Sequence, residues 1–171
     1  MPDRSKRIHV SESMLKLIQN TPRWDSMLKQ GVFQPNPFVS NETMRISSNL
    51  SIKPISVPHR DEFTDTHAFL IRGPERVLLH LPDHDRWETT LTHVGTSSIR
   101  EWFRQLEVDI ALIDGTFWSE DEISRQSNVP HPPISETISL LGPRKPHDVD
   151  LRFIHFNHTN PVLCKKGQSH D

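Results

Sequence analysis

The stretch VDIALIDGTF (108–117) is a nearly continuous apolar run that ends in an aspartate, a glycine and a threonine. A short apolar run of this kind, bounded by turn residues, is typical of a strand in a buried sheet. Apolar residues at helical spacing lie on both sides of it, in SSIREWFRQLE (97–107) and PISETISLLGP (133–143). This alternation of strand and helix predicts an α/β fold in which helices cover a buried sheet.

Further elements are predicted along the rest of the chain. The expected strands are RIHVS (7–11), LSIKPISVP (50–58), THAFLIRG (66–73), RVLLHLP (76–82) and VDLRFIHF (149–156). Two helical segments are expected in ESMLKLIQN (12–20) and TPRWDSMLKQG (21–31). Pro54 places its strand at or near a sheet edge, because proline cannot donate to a ladder. Residues 33–49 are rich in turn residues and are predicted to be loop, except for one possible strand near 44–46.

Composition excludes several classes of function. The 171 residues are long enough for one domain with a core, but 33% hydrophobic residues and a mean hydropathy of −0.58 are low for a chain that builds this core alone. A net charge of −2 and a pI near 6.6 argue against binding to nucleic acid or to an anionic membrane. The single cysteine, Cys164, cannot form an intrachain disulfide, which favours a reducing compartment. Because Met1–Val10 is charged and no apolar run approaches about 18 residues, a cytoplasmic location is predicted.

Potential metal ligands follow several of the predicted strands. His59, Asp83, Asp114 and His155 each lie at or just beyond the carboxyl end of a strand, where the loops of α/β sheets converge on one rim. Taken singly, each could be a turn, capping or hydrogen-bonding residue. Taken together, they supply the nitrogen and oxygen ligands of catalytic zinc. His131, in the unusual turn VPHPP, is a further candidate.

Four segments resemble consecutive blocks of the metallo-β-lactamase superfamily, and most closely the branch that contains coenzyme PQQ biosynthesis protein B. They are VPHRDEFTDTHAFLIRGPERVLLHLPDHDRWE (57–88), DIALIDGTFW (109–118), HPPISET (131–137) and FIHFNHTNP (153–161). The resemblance covers about residues 6–163. It implies an αββα sandwich with one or two metal ions at the sheet edges. Residues 1–163 are accordingly expected to form an incomplete sandwich, the C-terminal half to two-thirds of it, followed by a polar tail at 164–171.

The resemblance also implies roles for individual positions. His59, Asp83 and His155 match metal ligands of the family, and Asp83 is the residue that would bridge two metals and take part in catalysis. The resemblance further implies that three positions would support these ligands or face the substrate, and they are Asp114, His158 and Asn160. His131 is a candidate for the same role because of its unusual turn. The implied cofactor is zinc or another divalent metal such as manganese or iron.

One motif of the family is missing from this sequence. None of the eleven histidines lies two positions from another, so the loop H-x-H-x-[DG]-H is absent. Each of two metals would then keep about two protein ligands, which is fewer than a catalytic zinc takes. Weak metal binding is expected, and the isolated chain is expected to be inactive or incomplete.

Two functions remain open at this point. The first is a metal-dependent hydrolase that cleaves an ester or amide bond in a small molecule. The second is a non-catalytic remnant or binding module that keeps the sheet without a complete metal site. In either case the predicted helices can cover only one face of the sheet. The chain is therefore expected to form a homo-oligomer, to aggregate, or to require a missing N-terminal half.

Overall fold

The computed structural model describes residues 5–123 and 130–164. This part of the chain contains two sheets, and the smaller one lies near the N-terminal end. This sheet pairs β1 (Lys6–Ser11) in parallel with β2 (Phe33–Phe38). Helices α1 (Glu12–Asn20) and α2 (Pro22–Lys29) form the crossover between the two strands. Ser11 caps α1, since its Oγ accepts a hydrogen bond from the backbone N–H of Met14 at 3.2 Å.

Strand β2 corrects the prediction that residues 33–43 are loop. Its two prolines, Pro35 and Pro37, are aligned with Ile8 and Val10 of β1. Prolines two residues apart present their missing N–H groups at the same edge of a strand. The opposite edge therefore keeps its full set of donors for β1, and a segment that resembles a turn in sequence pairs as an edge strand.

The larger sheet has six strands in the order β3-β4-β5-β6-β7-β8. Their bounds are Met44–Arg45, Ser51–Val57, Thr66–Arg72, Val77–Leu81, Ile110–Asp114 and Asp150–Ile154. Neighbours from β3 to β6 are antiparallel, and β6, β7 and β8 are parallel. β3 pairs only with Ser51 and Ile52, so within residues 5–123 and 130–164 no strand lies beside Pro54 on that side, which confirms its predicted position near an edge.

The helices that accompany this sheet are short. α3 (Trp87–His93), which was not predicted, and α4 (Ile99–Gln105) follow β6, while α5 (Glu120–Ile123) and α6 (Ile134–Leu141) follow β7. A 3₁₀ turn lies at Pro161–Leu163. No helix among the described residues combines the length and the apolar character that a bilayer crossing requires.

The core lies between one face of the six-stranded sheet and the helices α3 and α4. Leu79, Leu81, Ala111 and Ile113 are completely buried on this face. The helices contribute aromatic side chains, among them Trp87, whose Nε1 donates to Thr137 Oγ1 of α6 at 2.7 Å. Side chains on the opposite face of the same two strands, such as Leu78 of β6 and Leu112 of β7, are only partly buried. The expected association through this face stays a prediction.

The strand directions bring four chain segments to one rim. Parallel strands end at the same edge of a sheet, so the residues that follow β6, β7 and β8 meet there. β4 is two antiparallel steps from β6 and therefore ends at the same rim. Consequently, the loops that carry His59, Asp83, Gly115 and His155 lie next to one another.

Gly115 is required by close packing at this rim. A Cβ built on it would lie 2.8 Å from Phe153 Cβ and 2.9 Å from the carbonyl oxygen of Ile154. Since the second contact is with backbone, we expect Gly115→Ala to lower the free energy of unfolding by about 2 kcal/mol, measured by urea denaturation. Gly73→Ala is the matched control, because its Cβ would make only an ordinary 3.5 Å contact. Equal stability of the two variants would contradict this expectation.

Candidate metal centre

The ligands implied by the sequence converge on the carboxylate of Asp83. His59 Nε2 and His155 Nδ1 each lie 3.6 Å from Asp83 Oδ1. The three residues come from the loops after β4, β6 and β8, as the strand directions require. The expectation that these strand ends share one rim is therefore met.

Asp114 and His131 form a second group beside the first. Asp114 is completely buried, and its Oδ2 accepts a hydrogen bond from His131 Nδ1 at 2.6 Å. Its Oδ1 accepts from the backbone N–H of Thr116 at 2.9 Å and from the Thr116 hydroxyl at 2.7 Å. Burial alone would raise the pKa of Asp114, but the hydrogen bonds from His131 and Thr116 outweigh it and hold that pKa below its ordinary value.

His131 joins the two groups. The centre of its ring lies 4.8 Å from the centre of the His59 ring and 6.0 Å from the centre of the His155 ring. Two sets of three possible ligands have their ligand atoms within 4.8 Å of one another, and both contain His131: His59–Asp83–His131 and Asp114–His131–His155. The second set is less suited to an ion, because Asp114 already accepts three hydrogen bonds.

The residues of the first set fit a divalent metal ion by their donor atoms. Imidazole nitrogen and carboxylate oxygen are normal ligands of zinc, and three protein ligands are the usual number at a catalytic zinc. His59 is largely buried, and burial lowers its pKa, which favours the neutral imidazole that a metal requires. Its Nδ1 is buried without a hydrogen-bond partner among the described residues and faces Asp85 Oδ1 at 3.6 Å.

The backbone adopts an uncommon conformation where His155 enters this site. His155 has a φ of +62°, in the left-handed region that residues with a side chain rarely occupy. Its Nδ1 lies 3.0 Å from Thr116 Oγ1. Because the Thr116 hydroxyl donates its only proton to Asp114, Thr116 accepts from His155 Nδ1–H. Strained conformations of this kind concentrate at functional sites.

The two other predicted site residues lie outside the ligand sets. His158 is exposed, and its backbone N–H and Nδ1 each lie 3.0 Å from Asn157 Oδ1. Asn160 is completely buried, and its Nδ2 donates to the carbonyl oxygens of Gly115 at 2.9 Å and Thr116 at 3.3 Å. Asn160 therefore braces the turn that carries Thr116, and any role of His158 stays a prediction.

Two residues that contact the site were not among the predicted site residues. Thr116 contacts Asp114, His131 and His155, and Asp85 faces His59. A threonine two positions after a buried aspartate is a signal for a hydrogen-bonded turn, so Thr116 could have been identified as its partner. No comparable signal in the sequence distinguishes Asp85 from Asp83.

Comparison with known proteins identifies the family. A family model described as a β-lactamase superfamily domain matches residues 2–156. Among solved structures, the chain is similar to zinc-bound PqqB from Methylobacterium extorquens, with 19% identity and a TM-score of 0.61 over 95% of this chain and 57% of that one. It is also similar to YhfI from Bacillus subtilis, a metallo-β-lactamase fold protein, with 11% identity and a TM-score of 0.58 over 92% and 54% of the two chains.

A third similar structure is a diphosphatase from the PhnP family, with 14% identity and a TM-score of 0.50 over 91% of this chain and 49% of that one. None of the curated proteins matches the chain. The chain thus spans little more than half the length of PqqB and YhfI, and at these identities the likeness concerns the fold. From the family model and the shared fold, the chain belongs to the metallo-β-lactamase superfamily and resembles its PqqB-like branch.

Proposed function

We propose that this chain forms part of a metal-dependent hydrolase and that His59, Asp83 and His131 hold one divalent ion, with zinc as the expected metal. The observation that carries the proposal is the convergence of these three ligand atoms within 4.8 Å at the rim of the sheet. The family supports a hydrolytic role, since it is a β-lactamase superfamily domain. An ester or amide bond of a small molecule is the proposed target.

The hydrogen bond of His131 supports its assignment as a ligand. His131 Nδ1 donates to Asp114. The proton of this ring is therefore on Nδ1, which leaves the unprotonated Nε2 as the atom able to bind a metal. Histidines that bind metals usually donate their other ring N–H to a carboxylate or another acceptor in this way.

The remaining residues have separate tasks in the proposed reaction. When bound, the metal ion supplies a Lewis acid and lowers the pKa of water toward neutrality. His155 lies 3.6 Å from the proposed ligand Asp83, and its imidazole is the group proposed to transfer a proton during hydrolysis. Buried Asp114 keeps His131 in one orientation and one tautomer.

Zinc titration of the metal-free chain by calorimetry tests the ligand set. His59→Ala and His131→Ala are each expected to weaken zinc binding at least about tenfold, which corresponds to about 1.4 kcal/mol, because each removes one of three ligands. His158→Ala is the matched control, since it removes an exposed histidine outside both sets. Zinc binding that does not depend on His59 or His131 would contradict the assignment.

Hydrolysis is tested separately with chromogenic esters and amides, in the presence of zinc and after chelation. Turnover that requires zinc and is lost in His59→Ala supports the hydrolase. Binding of zinc with no turnover would show that this chain by itself acts as a binding module.

A further inference from the structure

Two buried polar atoms face each other at the edge of the proposed centre. His59 Nδ1 and Asp85 Oδ1 are both buried, and neither has a hydrogen-bond partner among the residues that the structure describes. They lie 3.6 Å apart, slightly beyond a hydrogen bond. Buried polar atoms are normally paired, because an unpaired one costs about 1–3 kcal/mol. A small movement of either side chain would pair these two with each other.

The backbone holds both residues in position for this contact. The backbone N–H of Asp85 donates to the carbonyl oxygen of Pro58, the residue before His59, at 2.8 Å. Thr90 Oγ1 donates to the carbonyl oxygen of Asp85 at 3.1 Å. The carbonyl oxygen of His59 accepts from Thr66 Oγ1 at 2.7 Å. The loops after β4 and β6 are therefore joined where the two side chains meet, and the position of Asp85 does not depend on its own carboxylate.

The opposite edge of the His59 ring faces the proposed metal ligand. Nε2 lies 3.6 Å from Asp83 Oδ1, and Nδ1 lies 3.6 Å from Asp85 Oδ1. One imidazole thus lies between two carboxylates that are two positions apart in the same turn. A neutral ring carries one proton, so it can bind a metal through Nε2 only when the proton is on Nδ1.

We propose that Asp85 is a positioning residue that accepts the Nδ1 proton of His59 and so presents Nε2 to the metal. This inference rests on the proposed metal site and assigns distinct roles to the two aspartates of PDHD (82–85). Asp83 is the ligand, and Asp85 fixes the tautomer and the ring orientation of His59. The same arrangement holds for His131, where Asp114 is the carboxylate.

The first test measures the tautomer of His59 by long-range ¹H–¹⁵N NMR on the metal-free chain. In the unsubstituted protein the Nδ1–H form is expected to predominate, and in Asp85→Ala the Nε2–H form is expected to increase. Asp85→Asn keeps an acceptor oxygen and is expected to retain the Nδ1–H form. An unchanged tautomer in Asp85→Ala would overturn the inference, and Asp85→Asn separates loss of the contact from loss of the fold.

The second test measures zinc binding by calorimetry. Asp85→Ala is expected to bind zinc about 10- to 100-fold more weakly, the range typical of carboxylates that support a metal-bound histidine. Asp85→Asn is expected to lose less than Asp85→Ala. Asp61→Ala removes an exposed carboxylate from the same loop as His59 and serves as the matched charge control.

The outcomes separate this inference from the function on which it rests. If the unsubstituted chain binds zinc and the zinc affinity of Asp85→Ala is within about twofold of it, Asp85 is not a positioning residue and the proposed metal site is retained. If the tautomer responds to Asp85→Ala but no form of the chain binds zinc, the contact is real and the proposed metal site is wrong.

Discussion

Replacing Asp114 with alanine is expected to lower the free energy of unfolding by about 4 kcal/mol. The carboxylate is completely buried and accepts three hydrogen bonds, two from Thr116 and one from His131. Each donor left unpaired in the interior costs about 1–3 kcal/mol, and the methyl group of alanine has no oxygen to replace the lost acceptors. Urea denaturation with a check for two-state behaviour measures the change.

Two further substitutions make the Asp114 result specific. Asp114→Asn keeps one acceptor oxygen for Thr116 and is expected to lose less stability than Asp114→Ala. Asp150→Ala removes an exposed aspartate that pairs with Arg152 at the surface, and little change is expected. A loss below about 1 kcal/mol in Asp114→Ala would show that the buried donors find other partners.

His84 is expected to make the metal-free chain less stable as the pH falls from about 6.5 to about 4. The side chain is completely buried, and burial lowers its pKa to about 4 from 6.5. Between these two pH values the unfolded chain binds a proton that the folded chain does not bind. Stability therefore falls by up to about 1.4 kcal/mol per pH unit, about 3 kcal/mol in total, and His84 contributes no further loss below pH 4.

The substitution that tests this is His84→Asn, studied by denaturation at several pH values in the presence of a chelator. The variant lacks the titrating group, so its stability is expected to fall by about 3 kcal/mol less across this window than that of the unsubstituted chain. His93→Asn, at the exposed end of α3, is the control for removal of a histidine. The same pH dependence with and without His84 would contradict the expectation.

Local signals in the sequence were sufficient for much of the fold. Ser98 caps α4 by accepting from the backbone N–H of Glu101 at 3.2 Å, and Gly142 ends α6 with a φ of +61°. Serine before a helix and glycine after it are ordinary sequence signals for these boundaries. Strand β2 was missed because the pairing of Pro35 and Pro37 with β1 depends on a partner more than twenty residues away. Trp87 and its helix α3 were missed because a short helix of this composition is stabilised by its buried contacts rather than by its own propensity.

The sequence by itself determined the family, the α/β class and the positions of the potential ligands after the strands, because motif, periodicity and strand order are local properties of the chain. Only the tertiary structure decided which ligands meet, that His131 joins His59 and Asp83, and that Asp85 faces the other nitrogen of His59. Loops from three strands and the segment after β7 must be folded together before these atoms approach. Which ring nitrogen faces a carboxylate depends on distances of a few ångströms, and no spacing in the sequence encodes them.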